Sequence, residues 1–349
     1  MADKVGVGII GAGSIANNAH IPGYLAISDR CKIFAVADVV EEVAGKTAKD
    51  HKIPKAFSDY RRLLELDEID AVSVCTPPAA HAEATIAALE AGKHVLCEKP
   101  MAMNASEAAK MVRSARKAGR NLAIGFQSRF SAEAQALKAF IDAGELGEVY
   151  FAKALYNRRR GIPSWGKFYS RKDNGGGPLI DVGVHVMDLA LWLMGHPKPV
   201  SVFGATYRKF GNRDDAFNRW GKWNSRDFDV EDFAVALIKM AGGATLSLEC
   251  SWALNIGDDE QIVRLAGDRG GADVYPFKVY KDTGTGLFDW TPKQLHEVKS
   301  THGASVADFV DSVLAGRRPL VTGEHGLVVT RIVDAIYESS EKGELVVLK

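Results

Sequence analysis

Hydrophobic positions follow two different patterns along the chain. Up to about residue 125 they come as short, nearly unbroken runs at 5–10, 33–37, 71–75, 94–97 and 122–126. Such runs mark strands buried on both faces, as in a parallel sheet covered by helices. Between them, 79–91 and 106–118 read as helices, each followed by a glycine (Gly92, Gly119) that suits a helix stop. This rhythm predicts an α/β fold that opens with a doubly wound parallel sheet. Beyond residue 126 the runs at 149–155, 200–207, 233–240 and 244–251 follow one another without long helices between them. Gly242-Gly243 between the last two reads as a hairpin turn. The second half therefore reads as a mostly antiparallel sheet. Helices are expected at 183–193, 304–315 and 325–340. The two domains are set at 1–125 and 126–349.

Composition narrows the class. The chain has 349 residues, enough for two domains. It carries 44 basic and 44 acidic side chains and is 46% apolar, the usage of an ordinary soluble globular protein. That balance argues against a nucleic-acid or anionic-membrane partner, which calls for a basic excess, and against disorder. No apolar run reaches the roughly 18 residues of a membrane span, and the first residues lack a signal-peptide pattern. Cys31, Cys75, Cys97 and Cys250 have no CxxC spacing, which fits a cytoplasmic setting better than a disulfide framework. The histidines form no HxxxH or HExxH set, so no metal site is expected, and there is no GxSxG elbow.

The candidate chemistry begins at the first strand. Gly11, Gly13 and Ala16 form a GxGxxA fingerprint between a strand and a helix, the context a dinucleotide pyrophosphate requires. Asp38 ends the next strand, 22 residues past Ala16, where a carboxylate bonds the adenosine ribose. Its charge opposes a 2′-phosphate, so NAD is preferred over NADP. Thr76-Pro77-Pro78 with His81, and Glu98-Lys99-Pro100, each stand at the carboxyl end of a strand, where open α/β sheets bind ligands. The first also reads as a proline-stopped strand, the second as a surface lysine. In the second half, Asp181 and His185 lie four apart in a glycine-led run from Gly175 to Asp188. On a helix they share a face, and a carboxylate so placed orients and tunes an imidazole base. A capping aspartate and a core-packed histidine fit the same spacing.

Taken together and in this order, these pieces resemble the Gfo/Idh/MocA family, named for glucose–fructose oxidoreductase and inositol dehydrogenase. The tract from Ala91 to Pro100 and the Gly175–Asp188 run are its most specific matches. The resemblance implies a Rossmann domain followed by an α/β domain on a large open sheet that serves as a subunit interface in a dimer or tetramer. It places the catalytic roles on Lys99, Asp181 and His185, and allows a cis Lys99–Pro100 peptide. Cofactor contacts are implied for Gly11, Gly13, Ser14, Ile15, Asp38, Thr76, Pro77, Pro78, His81, Glu98, Lys99 and Gln127. Substrate contacts are implied for Lys99, Arg129, Arg158, Trp165, Asp181 and His185. The segment Arg158–Gly166 further resembles the branch that oxidises the C3 hydroxyl of glucosides. Trp165 suits stacking on a sugar ring, and an arginine suits bonding its hydroxyls.

The expected reaction is reversible hydride transfer between NAD and a secondary alcohol of a sugar, glycoside or cyclitol. Inositol dehydrogenation, redox-neutral glycoside hydrolysis on retained NAD, and a non-enzymatic NAD sensor are the alternatives. One imbalance in charge bears on the site. From 149 to 172 there are seven basic residues (Lys153, Arg158, Arg159, Arg160, Lys167, Arg171, Lys172) and no acidic one. Some of this charge is expected to face the sugar or the NAD phosphates, and some a neighbouring subunit.

Overall fold

The computed structural model describes residues 4–348. The chain divides into two compact units. One holds the chain through Phe130 and again Val298–Thr330; the other holds Ser131–Glu297 and the chain from Arg331 on. The first crossing lies near the expected break at 125/126, but the chain later returns to the first unit. Packing explains the return. The helix Thr301–Leu314 buries Val306, Phe309 and Val310 in one core with Val5, Val7, Ile9, Ile33 and Leu96. A boundary read from local patterning does not register such a long-range contact.

The first unit holds β1 (Val5–Ile10), β2 (Cys31–Ala37), β3 (Lys55–Phe57), β4 (Ala71–Val74), β5 (His94–Cys97) and β6 (Leu122–Ile124). They pair in parallel in the order β3-β2-β1-β4-β5-β6. β1 and β4 are buried along their whole length, as unbroken apolar runs require. The helix Ala105–Ala118 has Asn104 at its N-cap, where the side chain accepts from Glu107 N at 3.0 Å, and ends at Gly119 in the left-handed region. The sheet reverses its winding between β1 and β4, the place where such sheets open a ligand crevice.

The second unit carries β7 (Val149–Asn157), β8 (Pro199–Tyr207), β9 (Phe233–Met240), β10 (Thr245–Ser251), β11 (Glu260–Gly267), β12 (Gly271–Asp273), β13 (Lys278–Asp282), β14 (Leu287–Trp290) and β15 (Val346–Val347). Their order is β14-β13-β12-β11-β7-β10-β9-β8-β15, antiparallel throughout except for β7 with β10. β9 and β10 turn at Gly242-Gly243. Strand β9 alternates buried and more exposed positions, so one face of the sheet is packed and the other open. The run Arg171–Leu193 is long and apolar enough to cross a membrane, but most of it is buried inside this unit as its core helix.

Candidate active site

The ends of β1, β2, β4 and β5 bring the first group of residues together. Gly11 stands at φ +91°, and a Cβ there would lie 2.7 Å from the Cys75 backbone. Only glycine allows this close approach between the loops after β1 and β4. Gly13 is exposed, with open space where a Cβ would stand, so its backbone is accessible to a phosphate. Asn17 holds the loop through bonds to the Ala12 and Gly13 carbonyls at 2.7 and 3.0 Å. Asp38 accepts from Ala12 N at 2.8 Å and Val40 N at 3.0 Å, which ties the end of β2 to the glycine loop. A carboxylate has about four acceptor positions, so ribose hydroxyls remain compatible with these bonds. Val39 and Val40 beside it are exposed.

Two further polar atoms fit a bound dinucleotide. Thr76 Oγ1 and Gln127 Oε1 are buried without a hydrogen-bond partner, and such atoms in a folded protein call for an explanation. With the open backbone at Gly13 and the carboxylate at Asp38, they suit a nicotinamide dinucleotide. Ser14 is exposed and Ile15 half-buried beside Gly13, while Pro77 and Pro78 wall the turn after β4.

Three residues in this unit do something other than expected. His81 is buried, with Nδ1 2.7 Å from the Pro100 carbonyl and Nε2 2.8 Å from the Thr76 carbonyl. Its ring is thus held between the two strand-end turns. Glu98 is also buried, with Oε1 2.8 Å from His20 Nε2 and Oε2 accepting from Lys99 N at 3.1 Å. It acts on the site by holding Lys99. Arg129 is fully buried and donates to the Leu320 carbonyl and His325 Nδ1, both at 3.2 Å. The expected substrate contact is replaced by anchorage of the returning segment, whose packing the local sequence does not reveal. Burial first, then the Arg129 charge, lowers the pKa of His325 to about 3. The Lys99–Pro100 peptide is cis.

The second unit presents Asp181 and His185. Leu179–Gly183 form a π-helical turn that runs into the α-helix Val184–Leu193. The pair therefore spans a π-helical turn instead of a regular α-helix, and such turns recur at functional sites. Glu231 fixes the start of this run. Its buried Oε1 accepts from Gly177 N, Leu179 N and Tyr337 OH at 3.0, 3.1 and 3.0 Å. A carboxylate at a helix N-terminus is electrostatically favoured. A Cβ on Gly177 would overlap the Glu231 carbonyl, which accounts for this glycine. Burial raises the pKa of Glu231 against these bonds.

Asp181 Oδ2 accepts from Trp252 Nε1 at 2.9 Å and lies 3.7 Å from Arg158 Nη1. The Arg158 guanidinium stacks 4.9 Å from the Trp220 ring, and Trp220 packs 5.1 Å from Trp165. Trp165 is 52% exposed. An arginine and two indoles thus stand next to the carboxylate, an arrangement suited to polyol binding. Four other members of the basic run make other contacts. Lys153 pairs with Glu249 at 3.3 Å, Arg159 and Arg160 bond the Gly257 and Leu254 carbonyls, and Arg171 stacks on Tyr337. The sequence reading missed Trp252, Trp220, Glu231 and Tyr337, because each reaches the site through distant pairing and not through a local motif. It also missed His20, which no motif in the turn Ala16–His20 singles out.

The strand-end glycine loop, the carboxylate at the end of β2 and the Asp–His pair fit a nicotinamide-dependent oxidoreductase. Residues 5–126 match the model of the oxidoreductase family with an NAD-binding Rossmann fold, and residues 134–273 match the GFO/IDH/MocA C-terminal domain. The chain belongs to the Gfo/Idh/MocA oxidoreductase family. It is 35% identical over 343 residues to D-glucoside 3-dehydrogenase of Escherichia coli, covering 98% of this chain and 97% of the relative. It is 27% identical to myo-inositol 2-dehydrogenase of Thermotoga maritima, with 98% of each chain covered. Among solved structures, the aldose-aldose oxidoreductase from Caulobacter crescentus complexed with glycerol superposes with TM-score 0.83 at 26% identity, over 99% of this chain and 100% of that one. Levoglucosan dehydrogenase in complex with NADH shares the fold, with TM-score 0.86 at 23% identity over 99% of each chain.

Proposed function

We propose that the protein oxidises the C3 hydroxyl of a pyranoside to a 3-keto sugar with NAD. The observation that carries this reading is the Asp181 carboxylate set against Arg158 and Trp252, beside the Trp165–Trp220 pair and one turn before His185. The likeness to D-glucoside 3-dehydrogenase points to the same substrate class. NAD, when bound, supplies the hydride acceptor. His185 takes the hydroxyl proton as the carbinol hydrogen leaves with its electron pair, and Asp181 orients the imidazole. Lys99 donates to the reacting oxygen and stabilises its developing charge. Gly11, Gly13, Ser14 and Ile15 hold the pyrophosphate, Asp38 the ribose, and Thr76 and Gln127 the remaining polar groups. The test is a panel of methyl and aryl glucosides, free aldoses and inositols, read by NADH formation and product NMR. A 3-keto glucoside is the expected product. Turnover confined to inositols would move the substrate to cyclitols, and products formed without NADH release would indicate retained-cofactor chemistry.

NAD is preferred over NADP. Asp38 ends β2, Glu41 and Glu42 open the helix that follows it, and Val39 and Val40 between them offer a phosphate no cation. A 2′-phosphate there meets repulsion of about 1–4 kcal/mol at 4 Å. Wild type should therefore use NAD at least about fivefold better in kcat/KM. Asp38→Asn with Val39→Arg should shrink or reverse that ratio, since the side-chain amide oxygen of that variant can still accept from Ala12 N. Equal use of both cofactors by wild type would refute the assignment.

The open face of the second unit's sheet supports a homo-oligomer. Phe203 and Leu237 pair across β8 and β9, and each is about half exposed. Exposed apolar side chains in register mark an association surface. Leu237→Asp should convert the assembly to smaller species by light scattering at micromolar concentration; an unchanged mass would remove this face as the interface. The four thiols are buried and unpaired, which suits a cytoplasmic enzyme.

A further inference from the structure

A chain of buried polar groups lies behind Lys99. Tyr24 OH lies 2.8 Å from Ser73 Oγ, Ser73 Oγ 3.0 Å from His20 Nδ1, and His20 Nε2 2.8 Å from Glu98 Oε1. The other Glu98 oxygen accepts from the Lys99 backbone N–H. His20, Ser73, Glu98 and Tyr24 are each at least nine-tenths buried. The titratable groups facing this chain are Cys75 at the end of β4, Cys97 on β5, His81 on the helix His81–Glu90, His302 on the helix Thr301–Leu314 and Lys99 itself. Burial opposes charge on His20, but Cys75 and Glu98 outweigh it and raise its pKa to about 10. Burial likewise opposes the Glu98 anion, and the His20 contact outweighs that, lowering its pKa to about 2. His81 and His302 are shifted the other way by burial, toward the neutral form. The carboxylate contact thus favours the charged form of His20, the one ring of this cluster bonded to Glu98.

A buried carboxylate without its partner is strongly destabilised and seeks the nearest cation. Here that cation is Lys99, whose charge already acts on Glu98. We propose that His20 is a positioning residue for the reaction: by bonding Glu98 it confines that carboxylate to the Lys99 backbone, and so leaves the Lys99 ammonium directed to the substrate oxygen. The inference rests on the proposed role of Lys99 and adds a residue that touches neither substrate nor cofactor.

The test is a charge-rescue cycle. His20→Gln leaves the Glu98 charge uncompensated, and kcat for glucoside oxidation should fall about tenfold or more, with KM for NAD within about twofold. Adding Glu98→Gln removes the charge and restores an amide–amide contact of similar shape. The double variant should return to within about threefold of Glu98→Gln alone. A purely structural role predicts the reverse, with the double variant no better than His20→Gln, and that result overturns the proposal. If His20→Gln does not fold, Ser73→Ala weakens the same imidazolium from its other nitrogen and should lower kcat in the same direction; unchanged kcat in Ser73→Ala overturns the proposal. In wild type, ¹⁵N NMR of the His20 ring should show both nitrogens protonated at pH 8, and a neutral ring there also overturns it. Wild type that reduces no NAD with any polyol defeats the proposed function instead, a result separate from the NMR readout.

Discussion

His185→Ala should lower kcat for glucoside oxidation by about 10²–10⁴-fold, the range that general-base removal produces. NADH binding, measured by protein-to-cofactor fluorescence transfer, should stay within about threefold, because His185 belongs to the second unit and the cofactor loops to the first. The loss should be partly recovered by raising pH, where hydroxide replaces the missing base. The environment of His185 supports the assignment. It occupies the first turn of a helix whose every residue is buried, preceded by a turn that Glu231 pins through two backbone amides. A side chain on such a rigid element holds its place without substrate, which is what proton transfer needs. Asp181→Asn should lower kcat by less than His185→Ala, since it leaves the imidazole in place and still accepts from Trp252. A His185→Ala variant within tenfold of wild type would remove His185 from proton transfer.

Local signals account for most of what the chain reveals before folding. The five apolar runs of the first half appear as parallel strands because both faces of each are covered, and burial on both faces leaves an unambiguous mark. The runs at 233–240 and 244–251 are likewise legible, since one open face produces alternation and Gly242-Gly243 marks their turn. β3 has three residues and no buried position, so it carries no strand signal of its own. β12 is equally short, and β14 is exposed along its whole length, so neither carries one either. The site divides along the same line. Gly11, Asp38, Thr76 and Lys99 stand at strand ends, the positions that the pattern singles out. Arg129 and His81 occupy similar positions and turn inward instead, because carbonyls from distant segments, Leu320 in one case and Pro100 in the other, take their donors. Which way a polar side chain turns depends on those partners, and no spacing encodes them.

Lys99→Met should lower kcat by about 10²–10³-fold, the cost of removing one donor from a developing oxyanion. The methionine keeps the length and apolar stem of lysine, so the loss reports the charge and its protons rather than packing. Lys99→Arg should recover only part of it, since a planar guanidinium does not reproduce a compact ammonium. The backbone of residue 99 is fixed from two sides, by Glu98 accepting its N–H and by His81 bonding the Pro100 carbonyl. Both variants should therefore fold with a Tm close to wild type. With substrate deuterated at C3, the isotope effect on kcat should grow in Lys99→Met, because slowing the chemical step makes hydride transfer rate-limiting where product release otherwise intervenes. His185→Ala should show the same growth, and the double variant should lose far less than the product of the two single losses, as residues acting on one transition state do. Fully multiplicative losses would mean that the two residues act in separate steps, and the shared role at the reacting oxygen would then have to be abandoned.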